Sequence, residues 1–200
     1  MFPDLTRDDI FRLETRRLWL RWPRASDAEW IVAYAGDPEV ALKTAAIPHP
    51  FGKDDAEGFV LRAREANASG ESLFLALTPK QRPNQVIGMI SCVGSRSRGS
   101  GVLGFALARE HWGQGLMTEA AIAFVDLVFT VTSLQEIVSS AMPSNPASLR
   151  VQEKVGFVRS GRSIEHWPVR GQDVELETTV LKRGAAHSRF GERRARLTSA

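Results

Sequence analysis

At 200 residues, 43% of them hydrophobic, the chain is long enough for one ordinary globular domain that buries most of its core, and no separate second domain is expected. Its 26 basic and 23 acidic residues give a pI of about 9.4, but six basic residues and one acid, Glu192, fall between Lys182 and Ala200. That leaves 20 basic and 22 acidic residues in a near-neutral body, which argues against nucleic-acid binding as its main character. The expected domain is therefore 1–183, with 184–200 a basic, flexible tail.

One cysteine, Cys92, excludes an internal disulfide and suits a reducing cytoplasm. No apolar run approaches the roughly 18 residues of a membrane span, and the opening MFPDLTRDD is too acidic for a secretory leader. A soluble, cytoplasmic protein without membrane contact is the expectation.

Residues 1–13 read as a short arm. From Arg17 to Trp22, Leu18 and Leu20 alternate with Arg17, Trp19 and Arg21, the pattern of a half-buried strand. Ser26 with Glu29 three residues later gives a capping-box pattern, and Trp30, Ile31 and Tyr34 supply the apolar face of a first helix. Residues 36–53, centred on Ile47-Pro48-His49-Pro50-Phe51, read as an extended loop, because each residue before a proline is pushed out of helical geometry. A second helix is expected from about Asp54 to Asn67.

Ser72–Thr78 and Gln85–Val93 read as paired strands, with Cys92 a small core residue. The Arg96-Ser97-Arg98 turn reads as a solvated tip before a short apolar strand, Val102 to Leu107.

That strand runs into His111-Trp112-Gly113-Gln114-Gly115-Leu116-Met117-Thr118-Glu119-Ala120, followed by an apolar-periodic helix to about Val131. Glycine lets backbone approach a ligand closely, and the first N–H groups of a helix lack internal partners and carry the positive end of its dipole, so a phosphate can sit there. By itself Gly113-Gln114-Gly115 is equally a plain strand-to-helix connection. A Walker loop is excluded, since Gly-Lys-Ser/Thr occurs nowhere. A dinucleotide-binding unit is weak, since Thr118 replaces the third glycine and Glu136 falls near the start of the next strand.

The helix after the turn is apolar nearly all round and so buried on more than one side. A strand from Leu134 to Ala141 follows. Asn145, Pro146 and Gly156 then mark the N-cap, first position and end of a helix of about ten residues. Strands near Phe157–Ile164 and Val174–Leu181 close the pattern β-α-α-β-β-β-α-β-α-β-β, an α/β (α+β) class with a mixed, mostly antiparallel central sheet and helices on both faces.

Trp112 to Ala120 reads W-G-x-G-x-x-T-E-A, and 25 residues on, Asn145 to Phe157 reads N-x-x-S-x-R-x-x-E-K-x-G-F. Thr15-Arg16-Arg17-Leu18-Trp19-Leu20-Arg21 adds a T-x-R-L-x-L-R opening, followed by Ser26-Asp27. On these motifs the sequence resembles the acyl-CoA-dependent N-acetyltransferase superfamily (GNAT) over roughly residues 14–182, and within it the Rim-type branch of ribosomal-protein N-terminal acetyltransferases. It departs from the general pattern at Met117, where glycine or alanine is commonest.

The resemblance implies the GNAT fold, in which the strands before the glycine turn and after its helix splay apart and acetyl-CoA lies between them. It implies that Phe105, Ala106, Leu107 and Ala108 meet the pantetheine arm, and that Trp112, Gly113, Gln114, Gly115, Leu116, Met117 and Thr118 meet the pyrophosphate. His111 is a phosphate or ribose neighbour, and Asn145 a pantetheine contact as well as a cap. No metal is implied. Many members use tyrosine to protonate the departing thiolate, but the only tyrosine, Tyr34, lies in the first helix and reads as core. The branch places a serine at Ser148, which is also a serviceable first-turn residue. The strand Val102–Leu107 holds no carboxylate, so Glu165, His166 and His49 remain as candidate bases, each equally readable as a rim or surface residue.

The reading is acetyl transfer from acetyl-CoA directly to a primary amine, foremost a protein N-terminal α-amine, by a protein with room for a homodimer. The alternatives are an aminoglycoside-like small amine, or a non-catalytic acyl-CoA-binding module whose basic tail binds a polyanion.

Overall fold

The computed structural model describes residues 1–95 and 99–185 and the backbone of 196–198. The Arg96-Ser97-Arg98 turn and most of the basic tail lie outside the described residues. In chain order the elements are β1 (Arg12–Glu14), β2 (Leu18–Arg21), α1 (Ala28–Ala35), α2 (Pro38–Ala41), α3 (Lys53–Ser69), β3 (Ser72–Pro79), β4 (Gly88–Ser95), β5 (Ser100–Leu107), α4 (Leu116–Val131), β6 (Glu136–Ala141), α5 (Pro146–Val155), β7 (Val158–Trp167), β8 (Gln172–Lys182) and β9 (Arg196–Thr198). The strands form one sheet in the order β7-β8-β6-β5-β4-β3-β2-β1-β9.

Among the described residues every pairing in that sheet is antiparallel except β5 with β6. Period-two alternation divides the sheet between two cores. Leu73, Leu75 and Leu77 of β3 join Ile90, Cys92 and the α4 residues Phe124, Val125 and Val128 on one face. Phe74 and Ala76 turn the other way, to Met89 and to Ile31, Tyr34, Ala56 and Val60 of α1 and α3. Helices therefore cover both faces, as the alternation of elements predicts.

Four details differ from the sequence reading. A short β1 precedes the first expected strand, pairing Arg12–Glu14 with Trp19–Arg21 and, on its other edge, with β9. The Ser26/Glu29 capping box does not form: Asp27 takes the N–H of Arg24 at 2.7 Å, and its carboxylate is locked by both Nη atoms of buried Arg21 at 2.8 Å, so α1 starts later. The loop 36–53 contains α2, whose N-cap Asp37 accepts from the Glu39 N–H at 2.8 Å with Pro38 at the first position. The hairpin strands β7 and β8 run longer, to Trp167 and from Gln172.

The feature that places the site is the single parallel pairing. β5 and β6 are hydrogen-bonded only over Ser100–Val102 and Glu136–Val138. β5 then continues along β4 as far as Leu107, and β6 along β8 as far as Ala141. Ser139 Oγ donates to the Leu103 carbonyl at 3.0 Å, a last side-chain bridge before the strands part. Beyond it the sheet opens as a wedge.

Candidate active site

The wedge opens into a cavity of about 660 Å³ lined by Leu103 to Leu107 on one side and Ser139 to Ala141 on the other, with the glycine turn across one end. The turn is built locally. Ala108 N–H bonds back to the Ile87 carbonyl at 2.8 Å, Arg109–His111 form one 3-10 turn, and Trp112 Nε1 donates to the Leu107 carbonyl at 2.8 Å, folding the turn onto the end of β5. Gly113 and Gly115 follow with φ of +73° and +72°, backbone that residues with a Cβ rarely adopt. A Cβ on Gly113 would meet nothing within 4 Å, so conformation and not crowding requires glycine there.

Gly115 is the N-cap of α4, and no side chain caps that end. Among the described residues the N–H groups of 113–118 have no partner; the next, Glu119, donates to the Gly115 carbonyl at 3.0 Å. A cluster of free N–H groups at the positive end of a 16-residue helix, facing a cavity, fits an anion such as a pyrophosphate. Met117, the departure from the family pattern, is 5% exposed and belongs to the core beside Leu116, leaving its N–H for the anion.

The turn is held from the far end of the chain. Glu119 Oε1 accepts from Thr15 Oγ1 and from the Arg17 N–H, both at 2.7 Å, and Oε2 accepts from Arg17 Nε at 2.7 Å. Arg17 Nη1 also donates to the Gln114 carbonyl at 3.0 Å. Burial alone would raise the Glu119 carboxyl, but the hydrogen bonds from Thr15 and Arg17, with the guanidinium charge, outweigh it and hold the group below its ordinary value.

Of the expected site residues, Phe105 to Leu107, His111 to Gly113, Gly115 to Thr118, Asn145, Ser148 and Glu165 line the cavity. Ala108 is buried behind the turn, and Gln114 points away, its Nε2 donating to the Glu110 carbonyl at 2.9 Å. Asn145 Oδ1 accepts the Ser148 N–H at 3.3 Å, which is the cap expected of it. Glu165 is exposed on β7 and accepts from Ser163 Oγ at 3.3 Å. His49 is exposed and is not among the lining residues; nor is His166, whose Nδ1 lies 2.9 Å from Asp173. Tyr34 is 5% exposed, with its hydroxyl pushed well above the ordinary value by burial and then by Asp27, and its ring closes one wall.

Sequence reasoning missed several groups, some brought in by loops and some by helices and strands. Lys43, just after α2, sits 4.6 Å from the Trp112 ring centroid and 3.1 Å from Glu39, so a cation lies over the glycine turn. Arg150 and Lys154 add charge one turn apart on α5. Arg170, in the β7–β8 loop, donates through Nη2 to the Ile47 carbonyl at 3.0 Å and to those of Ala41 and Thr44, strapping that hairpin to the loop after α2. Phe51, Phe59, Phe74 and Trp167 make this opposite end apolar. The sequence reading of 36–53 as an extended loop placed none of these in advance.

Known proteins share this fold. A family model described as the acetyltransferase (GNAT) domain matches residues 17–158. The uncharacterized N-acetyltransferase p20 of Bacillus licheniformis is 25% identical over 173 residues, covering 86% of this chain and 96% of its own. Mycobacterium smegmatis RimJ, solved with CoA-disulfide, superposes with a TM-score of 0.78 at 19% identity, covering 99% of this chain and 100% of its own. The ribosomal-protein-S5-alanine acetyltransferase of Vibrio fischeri gives a TM-score of 0.73 at 21% identity, over 86% of this chain and 96% of its own. With the family match spanning most of the chain and the splayed strands and open helix end in place, this protein belongs to the GNAT acetyltransferases and is an acetyl-CoA-dependent acyltransferase.

Proposed function

We propose that the acceptor is a protein N-terminal α-amine. One observation carries this reading: of the carboxylates that line the cleft, Glu39 and Asp55 are already engaged, leaving Glu165. Glu39 is paired with Lys43, and Asp55 Oδ2 accepts the Gly52 N–H at 2.8 Å at the start of α3. A polyamine or aminoglycoside would find few free anions among Phe51, Phe59, Phe74 and Trp167, whereas an extended peptide with one amine suits a mostly apolar channel. The similarity to an S5-alanine acetyltransferase supports the same class.

Acetyl-CoA supplies an activated thioester, and the chain's residues bind and orient it. The N–H groups of 113–118 and Lys43 hold phosphate, and the edge of β5 around Phe105 and Ala106 holds the arm. An α-amine with a reference pKa of about 8 is appreciably neutral at pH 7, while lysine at about 10.4 is not, so the α-amine needs less help. A β5 backbone N–H polarises the thioester carbonyl. Glu165, through water, takes the proton shed by the attacking nitrogen as the C–N bond forms, and Ser148 gives its proton to sulfur as the C–S bond breaks, then regains one from solvent.

The test is thiol release from acetyl-CoA against N-terminal peptides, polyamines and aminoglycosides, with calorimetric CoA binding alongside. Turnover confined to peptides is expected. Turnover on polyamines or aminoglycosides with inert peptides would replace the reading with small-amine acetylation.

A further inference from the structure

The hydroxyl of Ser148 is the outer end of a chain of polar atoms. One helical turn further along α5, Gln152 is fully buried and donates through Nε2 to Ser148 Oγ at 3.2 Å. Behind Gln152, Thr179 of β8, 1% exposed, has its Oγ1 2.7 Å from Gln152 Oε1 and 3.2 Å from the carbonyl of Ser139 on β6. Three elements contribute to this chain, and it ends at a half-buried serine on the cleft wall.

The sense of the chain follows from counting protons. A threonine hydroxyl has one, so Thr179 can donate to only one of its two acceptors. The 2.7 Å contact is the length of a full O–H···O bond and the 3.2 Å contact exceeds it, so the proton goes to Gln152 Oε1. That fixes the amide with its NH₂ end toward Ser148. Ser148 Oγ is then an acceptor, and among the described residues no protein group accepts the serine's own proton. With the amide reversed, Gln152 Oε1 would draw that proton back into the interior.

We propose that Gln152 is a positioning residue for the transfer: held by Thr179, it grips Ser148 Oγ from behind so that the serine's proton is presented to the cleft, where the thiolate departs. This rests on the reading of Ser148 as the proton donor. Gln152 reaches neither substrate, and its neutral amide sets direction without placing a second charge near the developing anion.

The experiment compares Ser148→Ala, Gln152→Met, their combination and Thr179→Val, using acetyl-CoA and the fastest acceptor of the panel. Methionine matches glutamine in length and leaves Thr179 free to donate to Ser139. Ser148→Ala is expected to lower kcat about 100-fold, the lower range for a lost general acid. Gln152→Met is expected to lower kcat about tenfold, the scale of one hydrogen bond, with KM for acetyl-CoA and CoA affinity within about twofold of the parent. The combination should match Ser148→Ala alone. Thr179→Val, which lets the amide reverse, should slow the parent several-fold and leave the Ser148→Ala background unchanged.

If the Gln152→Met loss multiplies in full onto Ser148→Ala, or if it falls on CoA affinity instead of kcat, Gln152 acts only through structure and the proposal fails. A rate that needs Ser148 but ignores both Gln152 and Thr179 also overturns it, leaving the serine's role intact. A rate indifferent to Ser148 ends both. Should Gln152→Met not fold, Thr179→Val in the two backgrounds decides.

Discussion

Arg17 and Glu119 stand 102 residues apart in sequence, yet between them they fix the backbone of the glycine turn. The glycines supply the conformation, but nothing in glycine selects it over others, since glycine gives up the most freedom on folding. Selection comes from the carboxylate that gathers Thr15 and Arg17, and from the guanidinium that reaches the Gln114 carbonyl. Glu119→Gln keeps the shape and loses the charge, and is expected to cost about 1–2 kcal/mol of stability, discounted because Arg17 is partly exposed, and about tenfold in CoA affinity. Because the folded carboxyl lies below its ordinary value of about 4.5, its contribution is present above that pH and fades as pH falls through the folded value. The difference in unfolding free energy between parent and Glu119→Gln should therefore be flat near neutrality and shrink in acid; one that widened in acid would contradict the assignment.

At the scale of elements, what could be read in advance depended on how local the cause was. α5 follows its signals closely, because Asn145, Pro146 and Gly156 act within one turn of their own positions. The glycine turn was legible for the same reason. The start of α1 was misread because Arg21, from the preceding strand, recruits Asp27 into a buried ion pair that no spacing rule within the helix reveals. β1 is three residues long and owes its existence to neighbours on both edges, one of them near the other end of the chain. The groups around the cleft are less legible still, since Lys43 and Arg170 come from irregular segments and Glu39 from the single turn of α2. The Arg170 strap joins two such segments, the β7–β8 loop and the loop after α2. Arg170→Ala should raise KM for the acceptor about tenfold with a smaller loss of CoA affinity, because it frees the loop leading to Phe51 more than Lys43, which Ala41 and Thr44 flank. Equal changes in both constants would show that the strap holds the whole cleft.

For the whole molecule, the class of fold was legible in the order and periodicity of its elements, and the family in two motifs that the folded chain brings to one cavity. What no motif announces is how little backbone joins the two parts of the sheet. Three residue pairs, Ser100–Val102 against Glu136–Val138, with the Ser139–Leu103 bridge, carry the sheet across from β5 to β6. The β6–β8–β7 portion with α5 is thus a flap sewn on by a short seam, and a molecule lying in the gap acts as thread for the remaining stitches. Hydrogen exchange should show it: those amides between Leu103 and Leu107 that point away from β4 are expected to exchange readily in the free protein and to slow by at least about tenfold when CoA is added, while β3 and β4 change little. In this protein, binding the donor would also be the last step of building the sheet.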